Sequence, residues 1–122
     1  MKVLVVDDHR EMRQTIRSLL EEVHEIYECR DGSEVLREYA RVRPDWVLMD
    51  IKMKKMNGII ATKELLAKYP QARVVMLTQY GDQELREAAR QAGACAYVCK
   101  EHLIEVRRIL GLEKARAMSD EK

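Results

Sequence analysis

Apolar residues along this chain fall into two patterns: short runs in which nearly every residue is apolar, and longer stretches in which they recur every three or four positions. A short dry run bounded by polar residues reads as a strand of a parallel sheet buried on both faces, and three-to-four spacing marks an amphipathic helix. Lys2 to Val6 is the first dry run, Trp46 to Met49 the third, Arg73 to Leu77 the fourth and Ala94 to Cys99 the last. The run from Trp46 opens just after Pro44, which disfavours helix in the residue before it. Glu25 to Cys29 is more polar and suits an edge strand.

Helical spacing links Met12, Ile16, Leu19, Leu20 and Val23, with Arg10, Arg13, Arg17 and Glu21 expected on the solvent side. Asp31-Gly32-Ser33 is turn and cap chemistry ahead of a helix carrying Val35, Leu36, Tyr39 and Ala40. Asn57-Gly58 opens, and Pro70 closes, a helix over Ile59 to Tyr69. Asp82 is placed to cap a helix bearing Leu85, Ala88, Ala89 and Ala92, with Gly93 as its stop. Leu103, Val106, Arg107 and Leu110 trace a last helix. Strand and helix therefore alternate through five pairs, which calls for an α/β fold with a parallel sheet covered on both faces. No internal repeat or low-complexity segment interrupts this pattern. Residues 1–111 are expected to form one domain and residues 112–122 a tail or linker.

A chain of 122 residues fits one domain, and its 22 basic against 21 acidic residues lack the positive field of a nucleic-acid binder. Direct nucleic-acid binding and membrane spanning are not expected, and a cytoplasmic location is, because the first apolar run meets Asp7 too soon for a signal peptide core. Cys29, Cys95 and Cys99 show no metal or redox spacing and are expected to be buried free thiols. His9, His24 and His102 are expected at the surface, and Trp46 in the core with the prospect of reporting on the site.

The chemistry-bearing residues lie at strand ends: Asp7 and Asp8 after the first, Asp50 after the third, Thr78 after the fourth, Lys100 after the fifth. In a parallel sheet these ends share one edge, where ligands bind. Converging carboxylates repel and demand cations, and Mg²⁺ with its preference for oxygen ligands suits Asp7, Asp8 and Asp50, with Lys100 adding a fixed positive charge. A carboxylate nucleophile, a metal and an amine are the parts of a phosphoryl transfer that yields an aspartyl phosphate.

Asp7-Asp8, the run Asp50-Ile51-x-Met53-x-x-Met56-Asn57-Gly58, Thr78, and Tyr97-x-x-Lys100 after Gly93-Ala94 resemble the receiver domain of two-component response regulators over nearly the whole chain. The resemblance implies a flavodoxin-like (βα)5 fold with strand order 2-1-3-4-5. It implies that Asp50 accepts a phosphoryl group from a histidine kinase or histidine phosphotransfer protein. It further implies that Asp7, Asp8, Asp50 and the backbone carbonyl of Lys52 hold Mg²⁺, that Thr78 and Lys100 bind the phosphoryl group, and that Tyr97 is the switch aromatic. Such a chain is a signalling phosphoacceptor that catalyses its own Mg²⁺-dependent phosphorylation and dephosphorylation, and a phosphorylation-dependent dimer is compatible with it. Lys52 and Tyr80 stand where the family rings the path of the hydrolytic water, and their long side chains are expected to lengthen the life of the phosphate.

Two positions depart from the family. Lys54 replaces a frequent proline, and Glu101 replaces a cis proline, so a trans bond is expected before Glu101. The rival reading is a receiver-like interaction module independent of phosphate, against which the intact acids and Lys100 speak. An aspartate-nucleophile phosphatase would want an acid where Lys52 stands, and a dinucleotide binder a glycine-rich turn after the first strand. The first-helix arginines, with Met12 and Ile16, are a candidate docking face.

Overall fold

Every dry run in the sequence forms a strand, and the strands assemble into one parallel sheet. The structure, a computed structural model, describes residues 1–79 and 83–113. Its elements run β1 (Lys2–Val6), α1 (Arg10–Leu19), β2 (Glu25–Cys29), α2 (Val35–Val42), β3 (Trp46–Asp50), α3 (Gly58–Lys68), β4 (Val74–Thr78), α4 (Gln83–Ala92), β5 (Ala96–Cys99) and α5 (Ile104–Ile109). Short 3-10 turns at Gly32–Glu34 and Lys100–His102 lead into α2 and α5. The strand order is 2-1-3-4-5, the flavodoxin-like arrangement expected. All four pairings are parallel, with Val6 opposite Met49, Asp50 opposite Leu77 and Thr78 opposite Cys99. The more polar β2 lies at an edge, as its composition requires.

Because strand side chains alternate between faces, the sheet builds two cores. On one face Leu4, Val6, Val47, Met49, Val74 and Met76 pack beneath Val35, Tyr39, Ala61, Leu65 and Ala89 of α2, α3 and α4. On the other, Val3, Val5, Leu48, Val75, Leu77 and Val98 meet Ile16 and Leu20 from the α1 side and Val106 and Leu110 from the α5 side. Val47, Leu48 and Met49 have no exposed surface. Each such side chain contributes about 1.5–3 kcal/mol, so the strand that delivers Asp50 is held by its own burial.

Two expectations about helix faces are corrected. Ala40 is exposed and Val42 completes the buried face of α2 instead, because the stripe runs Val35, Tyr39, Val42. Arg13 is buried, not on the solvent side of α1. It lies three positions before Ile16, on the stripe that faces the sheet. The buried Ile16 is likewise unavailable to a docking face on α1. The cysteines divide: Cys29 is buried, with burial foremost in pushing its thiol up to about 12, but Cys99 is half-buried and Cys95 exposed. Cys95 precedes the first β5 residue, since β5 begins two residues later than its apolar run suggested. Among the described residues there is no cis peptide, so the bond before Glu101 is trans.

The segment between β3 and α3 is framed by backbone. Gly58 N–H donates to the Ile51 carbonyl at 2.7 Å, and the Asn57 side chain caps α3 by accepting from the Ile60 N–H at 2.9 Å. A methyl group on Gly58 would lie 2.0 Å from the Asp50 carbonyl oxygen, and one on Gly32 would lie 2.8 Å from the Met56 carbonyl oxygen. The chain therefore passes over both glycines at distances only hydrogen allows. Gly58→Ala is expected to cost at least about 1–3 kcal/mol, as an overpacked site whose nearest neighbour is backbone. Gly111→Ala, where nothing lies within 4 Å but φ is +82°, is expected to cost about 1–2 kcal/mol of backbone strain alone. Urea denaturation of the two variants checks the order.

Candidate functional site

The carboxyl ends of β1, β3, β4 and β5 converge because the strands are parallel and in register. Asp7 follows β1, Asp50 closes β3, Thr78 closes β4 and Lys100 follows β5. All but Lys100 are buried: Asp7 has no exposed surface, Thr78 retains 2% and Asp50 4%. The Lys100 ammonium lies 3.1 Å from Asp7 Oδ2 and 3.0 Å from Asp50 Oδ1, bridging residues brought from opposite ends of the sequence. A small cleft of about 140 Å³ opens over this pair, lined by His9, Asp50, Lys52, Thr78, Gln79 and Lys100.

Burial pushes the Asp50 carboxyl above its ordinary value, and the Asp7 charge pushes it further against the pull of Lys100. Burial alone would lower the Lys100 ammonium, but the Asp50 and Asp7 carboxylates outweigh it and hold Lys100 above its ordinary value. The lysine therefore stays charged, and the acids are left with more negative charge than it balances.

Asp7, Asp8, His9 and Asp50 each offer a ligand atom, all within 4.8 Å of one another. Asp8 Oδ1 is buried and accepts no hydrogen bond, although His9 Nδ1 lies 3.0 Å away outside hydrogen-bonding orientation. A buried carboxylate oxygen with no donor is costly, and a hard cation relieves that cost while offsetting the repulsion among the acids. The donor set is oxygen-rich, and it fits Mg²⁺. His9 is at the surface as expected, its side chain 71% exposed, yet it sits against the acids.

Thr78 and Tyr97 share a sheet face. Tyr97 is opposite Met76, two residues before Thr78 on β4. The Tyr97 ring is half-buried against the α2–α3–α4 core, and the Arg86 guanidinium of α4 lies 4.7 Å from its centroid. Lys52 is exposed at the cleft. Tyr80 and Asp82, the expected cap of α4, fall outside the described residues. Trp46 is not placed to report on the site. It begins β3, four residues before Asp50 and hence roughly 13 Å along the strand, with Arg73 stacked 4.1 Å from its ring.

Three contributors to the site carried no clear sequence signal. Arg13 Nη1 donates to the Asp7 carbonyl at 2.8 Å, and its only sequence hint is its spacing from Ile16. Asp31 caps the 3-10 turn through Ser33 as expected, but its other oxygen accepts from the Met56 N–H at 3.1 Å and so fastens the segment after Asp50. Gln79, one residue beyond Thr78, lines the cleft simply because the chain leaves β4 there.

Comparison with known proteins accords with this geometry. The response regulator receiver domain family matches residues 3–110. The uncharacterized transcriptional regulatory protein YhcZ of Bacillus subtilis is 37% identical over 93% of this chain and 56% of its own length, so the chain spans about half of that regulator. The chemotaxis protein CheY of Listeria monocytogenes is 34% identical over 94% of this chain and 98% of its own. A chain of the CheX–CheY–BeF3–Mg²⁺ complex from Borrelia burgdorferi superposes with a TM-score of 0.81 at 25% identity, covering 90% of this chain and 89% of that one.

An Asp50 carboxyl raised by folding is a source of instability when ionised. Its contribution is favourable below the unfolded value of about 4 and is lost as pH rises through the folded value. In EDTA at neutral pH, Asp50→Asn is therefore expected to raise the melting temperature by roughly 3–6 °C. The gain should shrink near pH 4 and on adding Mg²⁺, and calorimetric melts across that range check both signs.

Proposed function

This chain belongs to the response regulator receiver domain family, and on that premise we propose that its acidic cleft receives a phosphoryl group on Asp50, with Mg²⁺ as cofactor, from a histidine kinase or histidine phosphotransfer protein. The observation that carries the reading is the buried pair Asp7 and Asp50 bridged by the half-buried Lys100 at the mouth of a cleft, with the Lys100 ammonium about 3 Å from both acids. The Asp50 carboxylate attacks phosphorus in line as the phosphorus–nitrogen bond of the donor phosphohistidine breaks. The imidazole nitrogen leaves with the electron pair and takes up a proton.

Asp7, Asp8, Asp50 and the Lys52 carbonyl would hold the cation. When bound, Mg²⁺ supplies positive charge to the phosphoryl oxygens as negative charge shifts among them. Lys100, already fixed over Asp50, meets the same oxygens without a large rearrangement, and the Thr78 hydroxyl donates to one of them. Drawing Thr78 towards the phosphate makes room on the face it shares with Tyr97, which biases the ring between two positions and so alters the surface near α4 and β5. Residues 1–111 form the receiver unit in this reading, and residues 112–122 lead from it as tail or linker. YhcZ, of which the match covers 56%, and CheY, about the same length as this chain, are two formats in which such a unit occurs. A receiver-like module indifferent to phosphate would have no need for three acids that repel one another around one lysine.

Incubation with acetyl phosphate and Mg²⁺ is expected to add one phosphoryl group, read by intact-mass spectrometry, and to add none in Asp50→Asn or in EDTA. Labelling that persists in either would remove Asp50 or the metal from the reading. The lifetime of the phosphate is a separate expectation. The Lys52 stem at the cleft is proposed to shield phosphorus from the water that must approach opposite Asp50, and the family resemblance gives Tyr80, outside the described residues, the same role. Lys52→Asn combined with Tyr80→Glu is expected to hasten decay several-fold in excess Mg²⁺, measured after the donor is removed. An unchanged rate would exclude shielding.

A further inference from the structure

Arg13 reaches the site from behind. It is 9% exposed. Its Nη1 donates to the Asp7 carbonyl at 2.8 Å and its Nε to Glu28 Oε1 of β2 at 2.8 Å. The second Glu28 oxygen accepts from Arg17, whose Nη2 donates to the Ile26 carbonyl at 3.0 Å, so the acid that backs Arg13 is itself held in place. Burial works against ionising Glu28, but its hydrogen bonds with Arg17 and Arg13 hold its carboxyl below the ordinary value.

The Asp7 carbonyl belongs to the peptide unit that joins Asp7 to Asp8, and the orientation of that unit sets the relative direction of the two side chains. Its other surroundings are fixed as well. Asp7 N–H donates to the Cys29 carbonyl at 3.1 Å, and Asp7 Oδ1 accepts from the His9 N–H at 2.8 Å. We infer that Arg13, backed by Glu28, is a positioning residue for the Asp7–Asp8 pair, locking the peptide between them so that both carboxylates face the cation site. The inference rests on the reading of that site as a Mg²⁺ site.

The sign of the effect separates positioning from charge. Removing a cation close to a metal site should tighten metal binding if only electrostatics mattered. Loss of a hydrogen-bonded support behind metal ligands instead weakens binding, typically about 10–100-fold. Glu28 is shared with Arg17, so removing Arg13 takes a positive charge from behind the site and by charge alone favours the cation; a net weakening must therefore come from geometry.

The test is calorimetric titration of Mg²⁺ into wild type, Arg13→Met and Arg13→Lys, with circular dichroism and melting in EDTA to establish folding. Arg13→Met is expected to weaken Mg²⁺ binding about tenfold or more. Arg13→Lys keeps the charge but offers one nitrogen where the guanidinium uses two, Nη1 to the Asp7 carbonyl and Nε to Glu28, so an intermediate loss is expected. A folded Arg13→Met that binds Mg²⁺ as well as wild type, or more tightly, overturns the inference even if its melting temperature falls. If the methionine variant does not fold, wild-type affinity in Arg13→Lys overturns it equally. Absence of Mg²⁺ binding by the wild type would overturn the cation reading itself, and that arm alone reveals it.

Discussion

The Lys100 ammonium held between Asp7 and Asp50 is the contact on which the rest of this structure depends. Two carboxylates at the end of a dry sheet would each demand a partner, and a single lysine 3.1 and 3.0 Å from them serves both. The compensation is incomplete: three acids, counting Asp8, against one lysine leave an excess that protonation or additional cations relieve. A fold that closes on such an excess is one whose stability responds to what binds there.

Topology makes the contact attainable. Lys100 and Asp7 are separated by 93 positions, and no local motif could join them. The order 2-1-3-4-5 places β1 beside β3 and β4 beside β5, so the ends of the four strands open on one edge at the point where the chain reverses its direction of winding. The same parallel pairing puts Tyr97 a short step from Thr78, on the face packed by α4. The chemistry and the surface that would respond to it thus hang on one strand pair.

Much of this was legible from residue order because dry runs and helical stripes are strong signals in a parallel α/β chain. All five strands, the edge position of β2, the Asn57 cap and the convergence of Asp7, Asp8, Asp50, Thr78 and Lys100 follow from hydrophobic period and from what terminates each run. What escaped was long-range and depended on side-chain reach. An arginine on a helix is ordinarily solvated, and only packing reveals that Arg13 threads between α1 and β2 to the Asp7 carbonyl. Asp31 satisfied its local reading as a cap, which concealed its bond to Met56, 25 residues away. Cys95 and Trp46 lay at the ends of apolar runs, so one is exposed and the other is half-buried at the start of β3, at the end of the sheet away from Asp50.

The crowding of Gly58 and Gly32 against the backbone of Asp50 and Met56 has a consequence for how such a protein can change over evolutionary time. The path of the segment from residue 51 to residue 57 is constrained by two positions where a side chain would force the neighbouring backbone to shift. Lys52, Lys54 and Lys55, carried on that path, are exposed, and Lys52 lines the cleft over Asp50. Substitution is therefore costly to the fold in the frame and freer in the exposed residues it displays. Exchanging those lysines changes the charge displayed beside Asp50 while the scaffold beneath it remains the same.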